Sequence, residues 1–210
     1  MLYRLDCSAA EVAAHFGAAA GSDPWAGGHI APGQFAPIIT AGREAIAGPR
    51  AERQPRRMVP RLWGVPPPPA ALGARQGVLS VRNLESPFWI GNLRNSEFRC
   101  LVPATNFMEW GRIDPTTNKR RQHWLACTDQ PLFALAGVWK DSEVPSFALL
   151  TCEPNAALRA LGQEVMPAIL PPDPQAWQAW QAWQAWLNAN WATAAKLIVP
   201  YSSSLLAERG

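Results

Sequence analysis

The chain has 210 residues, 48% of them hydrophobic and 17% charged, with a formal net charge of +3. That length buries roughly 70% of the surface the unfolded chain exposes, which suffices for one domain without disulfide or metal staples and excludes a wholly disordered chain. No run of 18 or more apolar residues occurs, and the opening residues, with Arg4 and Asp6, lack the apolar core of a secretory signal, so a cytoplasmic protein without a membrane helix is expected.

In chain order, residues 8–20 (SAAEVAAHFGAAA) read as an amphipathic helix, with Ser8 at the N-cap and Glu11 at the capping-box position. The Gly- and Pro-rich stretch 21–37 is expected to be loop, and 38–40 a short strand turned by Gly42. Residues 47–57 are polar and basic, an exposed linker. Residues 59–65 read as a strand stopped by Pro66–Pro69, four prolines that cannot join a ladder. Further strands are expected over 78–82, 98–104, 123–128, 132–139 and 146–151, with turn chemistry at Asp114–Asn118. A short helix over 154–161 and a buried strand over 167–170 follow. Strands and helices mix without a βαβ rhythm, which points to an α+β fold.

The sequence QAWQAWQAWQAW runs from Gln175 to Trp186. On a helix each three-residue step turns about 300°, so Trp177, Trp180, Trp183 and Trp186 drift by about 60° apiece rather than forming one stripe. A stacking ladder for single-stranded bases would need a cationic groove, and the repeat holds no basic residue. A helix that packs on the protein surface is the better expectation, with no function assigned to it.

Charge is unevenly distributed. Between Arg43 and Arg121 stand thirteen Arg and one Lys against five Glu and one Asp, a local net charge of +8. Arginine forks suit phosphate oxygens, but the same counts describe charges scattered over a surface, so charge alone assigns no partner. Cys7, Cys100, Cys127 and Cys152 have no metal-ligand spacing, and His15, His29 and His123 are dispersed, so neither a metal nor another cofactor is expected.

Several segments resemble one family. HIAPGQFAPI (29–38) is similar to a Y-N-x-A-P-x-Q-x-x-P-V loop, RLWGVP (61–66) to W-G-x-x-P, and SVRNLESPFW (80–89) to an N-[AV]-R segment. PATNFMEW (103–110) is close to P-A-x-x-[FY]-x-E-W, the most specific of these matches. AGVW (136–139) and TCEPN…MPAIL (151–170) resemble A-G-[LI]-W and T-T-x-x-N…H-x-R-M-P-V-I-L. In order and spacing these are the motifs of the SRAP family, the SOS-response-associated peptidase or abasic-site-processing proteins.

The resemblance implies an α+β fold whose bent, mostly antiparallel sheet forms a small barrel surrounded by helices. It implies a single domain over 1–210, with the motifs in 1–170 and a Trp-rich helix and tail in 171–210. It further implies a monomer acting on single-stranded DNA with abasic sites. In the family, a cysteine exposed behind the initiator Met attacks the abasic aldehyde with its amine, and its thiol closes a thiazolidine. A glutamate and a histidine move protons, while an asparagine and an arginine hold the nucleotide.

Carried over by motif, Glu109 matches the glutamate, and its strand setting beside Trp110 favours a raised pKa. Arg82 matches the arginine, a clamp for phosphate. Pro32, Trp63, Ser80 and Thr151 match positions that line the DNA cleft, Ser80 replacing the asparagine. Trp63 could equally stack on a splayed base or pack in the core.

Two departures stand out. Gly162-Gln163 occupy the place of the histidine, and the opening M-L-Y-R-L resembles M-C-N-L-Y-x-L without its Cys and Asn. A homologue that has lost the chemistry and serves only as a DNA-binding or protein-interaction module is therefore the alternative expectation. A hydrolase of peptide bonds has little support.

Overall fold

The computed structural model describes residues 1–42, 56–68, 77–171 and 179–209. Strand β1 (Leu2–Leu5) leads to helix α1 (Ala9–Phe16), which begins with the expected capping box. The Ser8 hydroxyl accepts from the Glu11 N–H, and the Glu11 carboxylate accepts from the Ser8 N–H at 2.7 Å. The helix stops at Gly17, earlier than expected, because Gly17 is left-handed (φ 58°) and its N–H caps the last turn.

Then come β2 (Ala18–Ala19), β3 (Gly28–Ile30), β4 (Phe35–Thr40), β5 (Arg56–Trp63) and β6 (Ser80–Val81). Helix α2 (Ile90–Arg94) precedes β7 (Arg99–Ala104), β8 (Asn106–Ile113), β9 (Arg120–Cys127), β10 (Phe133–Lys140) and β11 (Ser146–Cys152). Helix α3 (Ala156–Ala160), β12 (Met166–Pro167), α4 (Ala179–Asn188), α5 (Trp191–Ala194) and β13 (Leu206–Arg209) complete the order.

Several boundaries differ from the sequence expectation. Strand β4 runs through Pro37, whose register partner on β5 is Pro60, so both missing N–H groups fall at one step of the ladder. The expected loop 21–37 therefore contains β3 and the start of β4. Of the expected linker 47–57 only residues 56 and 57 are described, and they belong to β5. Residues 66–68 lie in no regular element; Pro69 and Trp177 lie outside the described residues.

Strands β5, β4, β7, β10 and β11 form an antiparallel run that closes on itself through a parallel pairing of β11 with β5 (Ser146↔Leu62, Phe147↔Trp63). This closed five-stranded barrel with additional strands and a few helices is the α+β architecture expected. A second sheet, in the order β13-β9-β8-β1-β3, packs against it. Tyr3 meets Trp63 edge-on at 5.2 Å between ring centroids, and Phe107 meets Phe133 at 6.4 Å. These aromatic contacts tie the two sheets into one core.

Of the tryptophan repeat, the described part is helix α4, and its Trp183 and Trp186 pack on the protein. Trp186 is fully buried and its indole N–H donates to the Cys100 carbonyl at 2.8 Å; Trp183 lies 4.6 Å from the Phe16 ring. Gln184 accepts from the buried Arg56 guanidinium at 2.9 Å. The end of the chain then returns as β13 and adds an edge strand to β9, which no motif announced.

Candidate active site

Side chains alternate along a strand, so the core-facing row of β8 runs Phe107, Glu109, Gly111. Phe107 is fully buried between the sheets; Glu109, two residues on, is where this row leaves the core and enters a cavity of about 250 Å³. Met1, Trp63, Leu79 and Ser80 line one part of it. Thr151 and the segment Gln163–Pro167 line the other, apart from Glu164. Among the described residues, hollows of about 290 Å³ beside Trp25 and Phe35 and of about 430 Å³ beside Trp110 contain no buried titratable side chain.

Glu109 is only 8% exposed. Burial pushes its carboxyl from the ordinary 4.5 up to about 7, and the positive amine of Met1 pulls the other way with the smaller effect. The amine is there because of strand register. Leu2 pairs with Met108, so the antiparallel ladder carries Met1 to the level of Glu109. On the other side of β8, Glu109 pairs with His123 of β9. The imidazole Nδ1 of His123 lies 3.1 Å from Glu208 Oε1, contributed by β13.

The expected site residues divide into two groups. Trp63, Ser80, Glu109 and Thr151 converge on the cavity. Trp63 does so as a core residue, 1% exposed, held between Tyr3 and Phe147 with its indole N–H on the Leu79 carbonyl at 3.1 Å. Of the two expectations for Trp63, this is the core one. Thr151 is also buried, its hydroxyl donating to the Val81 carbonyl at 3.2 Å.

Arg82 and Pro32 are not part of the lining. Arg82 is exposed and forms an open ion pair with Glu164 at 3.5 Å. Pro32 sits in the turn between β3 and β4, which is tied to the site through the Gly33 N–H on the Trp63 carbonyl at 2.8 Å.

A scan against family models matches residues 2–208 to "SOS response associated peptidase (SRAP)". The chain belongs to the SRAP family. Among curated proteins it is 32% identical over 78 residues to an abasic site processing protein, YoqW, of Bacillus subtilis (strain 168), and equally to YoqW of Bacillus phage SPbeta. That match covers 34% of this chain and 34% of either relative, so the chain spans about a third of the length of the curated relatives it matches.

Solved structures show the same fold over nearly the whole chain. A Bacteroides thetaiotaomicron protein superposes with TM-score 0.74 at 20% identity, covering 99% of this chain and 90% of that one. A Bordetella bronchiseptica protein follows with TM-score 0.72 at 18% identity, covering 99% and 97%.

Within this SRAP site the departures from the family motif have a structural form. Gln163 lines the cavity where a histidine was expected, and its side-chain amide donates to the Trp110 carbonyl. Gly162 is left-handed (φ 86°), and a Cβ there would lie 2.9 Å from Arg112 Cγ, so Arg112 fills the space of a side chain at 162. All four thiols are held neutral by burial: Cys152 is pushed up to about 11, Cys127 to about 12, Cys100 further, and Cys7 upward as well. Among the described residues no cluster of His, Cys, Asp and Glu could hold a metal ion, and no helix is long and apolar enough to cross a membrane.

Motif reasoning missed Met1, which lines the cavity, and the pair His123–Glu208, which stands beside Glu109 on the sheet. The alternation of β9 sets His123 on the face of Leu125. Only the pairing with β8 and β13 brings it beside Glu109.

Proposed function

We propose that this SRAP chain binds single-stranded DNA and captures the open-chain aldehyde of an abasic site as a Schiff base in the cavity of Met1 and Glu109. The observation that carries this is the pairing of an α-amine with a buried carboxyl whose pKa, about 7, suits proton transfer at neutral pH. The ammonium of Met1 gives a proton to the Glu109 carboxylate, and the free amine adds to the aldehyde carbon. Glu109 then returns that proton to the carbinolamine hydroxyl. Water leaves, and an iminium remains with the carboxylate beside it.

Met1 carries a thioether, so no thiol is available on the same residue to close a thiazolidine. The product stops at the imine, which reverses in water. The basic middle of the chain supplies attraction for the DNA backbone, and Arg82 at the rim supplies a phosphate contact.

The name of the curated relatives, abasic site processing protein, supports this substrate class. Gln163, which moves no proton, favours one second reading: a protein that binds the DNA without chemistry.

The test is borohydride trapping on single-stranded DNA with one abasic site, read by denaturing gel and intact mass. A reduced adduct through Met1 is expected, with Glu109→Gln slowing its formation by about 100-fold. Salt-dependent DNA binding with no trapped adduct would overturn the Schiff base and leave the binding module. Binding indifferent to salt would remove that as well.

A further inference from the structure

We propose that His123, held by Glu208, is the positioning residue that relays protons between Glu109 and solvent. The inference rests on the Schiff-base chemistry proposed above. Its basis is a row of four groups across one face of the second sheet. Strand register sets Met1, Glu109 and His123 side by side on β1, β8 and β9, and Glu208 of β13 closes the row. Directly paired residues stand about 4.5–5.5 Å apart at Cβ and share a face, so the imidazole is the lateral neighbour of the carboxyl.

Two further observations fix the ring. Nδ1 lies 3.1 Å from Glu208 Oε1, and a carboxylate there requires Nδ1 to carry the proton and donate it. In the neutral ring Nε2 is then the free acceptor. That nitrogen lies over β8: a Cβ built on Gly111 would come within 2.6 Å of Nε2 and 3.0 Å of Cδ2. A side chain at 111 would expel the ring, so the glycine beside Glu109 on the same face leaves room for it.

The chemistry needs such a partner. Glu109 must begin as the carboxylate to take the proton of the Met1 ammonium, yet burial favours its protonated form. Below neutral pH the cycle stalls unless the carboxyl is emptied. His123 Nε2 takes that proton, becomes imidazolium against Glu208, and passes a proton to water at its edge, where the side chain is 15% exposed. Atoms and charge balance: the ammonium, the aldehyde and protonated Glu109 give the iminium, water, the Glu109 carboxylate and one proton that leaves to solvent through His123.

Glu109 faces the ring from β8, Glu208 from β13, and Arg121 from its own strand, sharing Glu208 Oε1 at 3.2 Å. The Met1 amine lies beyond Glu109. Arg112 is directed elsewhere, its guanidinium on the Arg159 carbonyl at 3.4 Å.

The test compares the parent with His123→Gln and, as a second variant that keeps the histidine but displaces it, Gly111→Ala. The rate of borohydride-trapped adduct is followed from pH 6 to pH 8, and the Glu109 carboxyl is followed by ¹³C NMR. Both variants should trap about tenfold more slowly at pH 6 and within about twofold of the parent at pH 8, with imidazole in the buffer restoring the loss for His123→Gln. A merely structural role would lower the rate equally at every pH and would not respond to imidazole.

Equal rates in the parent and His123→Gln at pH 6 would overturn the relay and leave the Schiff base standing. If the parent traps nothing, the Schiff base falls and the NMR titration decides on the pair. A Glu109 midpoint that moves upward in His123→Gln supports the coupling, and one that does not move overturns it.

Discussion

Replacing Glu109 by Gln should stabilise the protein while disabling it, and the effect should depend on pH. The carboxyl is neutral in the unfolded chain below about 4.5 and in the folded protein below about 7. Between these values the unfolded state gives up a proton that the folded state keeps. The folded state binds more protons, so stability falls as pH rises through this window and then levels off. A difference of this size amounts to about 3 kcal/mol at full ionisation, at 1.36 kcal/mol per unit.

Glutamine has nearly the same shape and no charge, so Glu109→Gln removes this loss. Between pH 5 and pH 8 the stability advantage of the variant should grow by roughly 2–3 kcal/mol. With a urea slope of about 2 kcal/mol/M, the gap between the two urea midpoints widens by about 1 M over that range. The assay is urea unfolding of both proteins at the two pH values, followed by tryptophan fluorescence. A gap that stays constant with pH would refute the claim that a buried, reluctantly charged carboxyl forms the floor of this cavity.

Other perturbations act on other parts of the molecule. Trp186→Ala removes a fully buried indole and its 2.8 Å bond to Cys100, and should cost about 3–5 kcal/mol. Its thermal midpoint should fall by about 10 °C; an unchanged midpoint would mean that the Trp helix does not support the barrel. Arg82→Glu should weaken binding to single-stranded DNA and reduce the slope of log K against log salt by about one, as measured by fluorescence anisotropy. An unchanged slope would remove Arg82 from the interface. Inserting Cys-Asn behind Met1 should yield, after Met removal, an adduct with abasic DNA that survives a denaturing gel without borohydride. Absence of that adduct would show that the cavity itself does not support the chemistry.

The sequence by itself determined the local elements whose physics is short-range. The Ser8–Glu11 box started α1 where expected, the hairpin chemistry at Asp114–Asn118 joined β8 to β9, and the continuous apolar runs gave β7, β10 and β11, which are buried on both faces. Motif order also carried the family, and with it Glu109, Ser80, Thr151 and Trp63, all of which meet at one cavity. Short strands were invisible: Leu2–Leu5 and Leu206–Arg209 are too brief for a period to show, and their stability comes from partners distant in the chain.

Those two short strands decide the site. Strand β1 carries the amine to Glu109, and β13 brings Glu208 to His123, joining the two ends of the chain across β8 and β9. Register between strands distant in the chain, as for β1 on β8 and β13 on β9, depends on which faces bury together, not on any residue's neighbours in sequence. The burial that raises the Glu109 carboxyl towards neutral pH arises the same way, from packing one sheet against another.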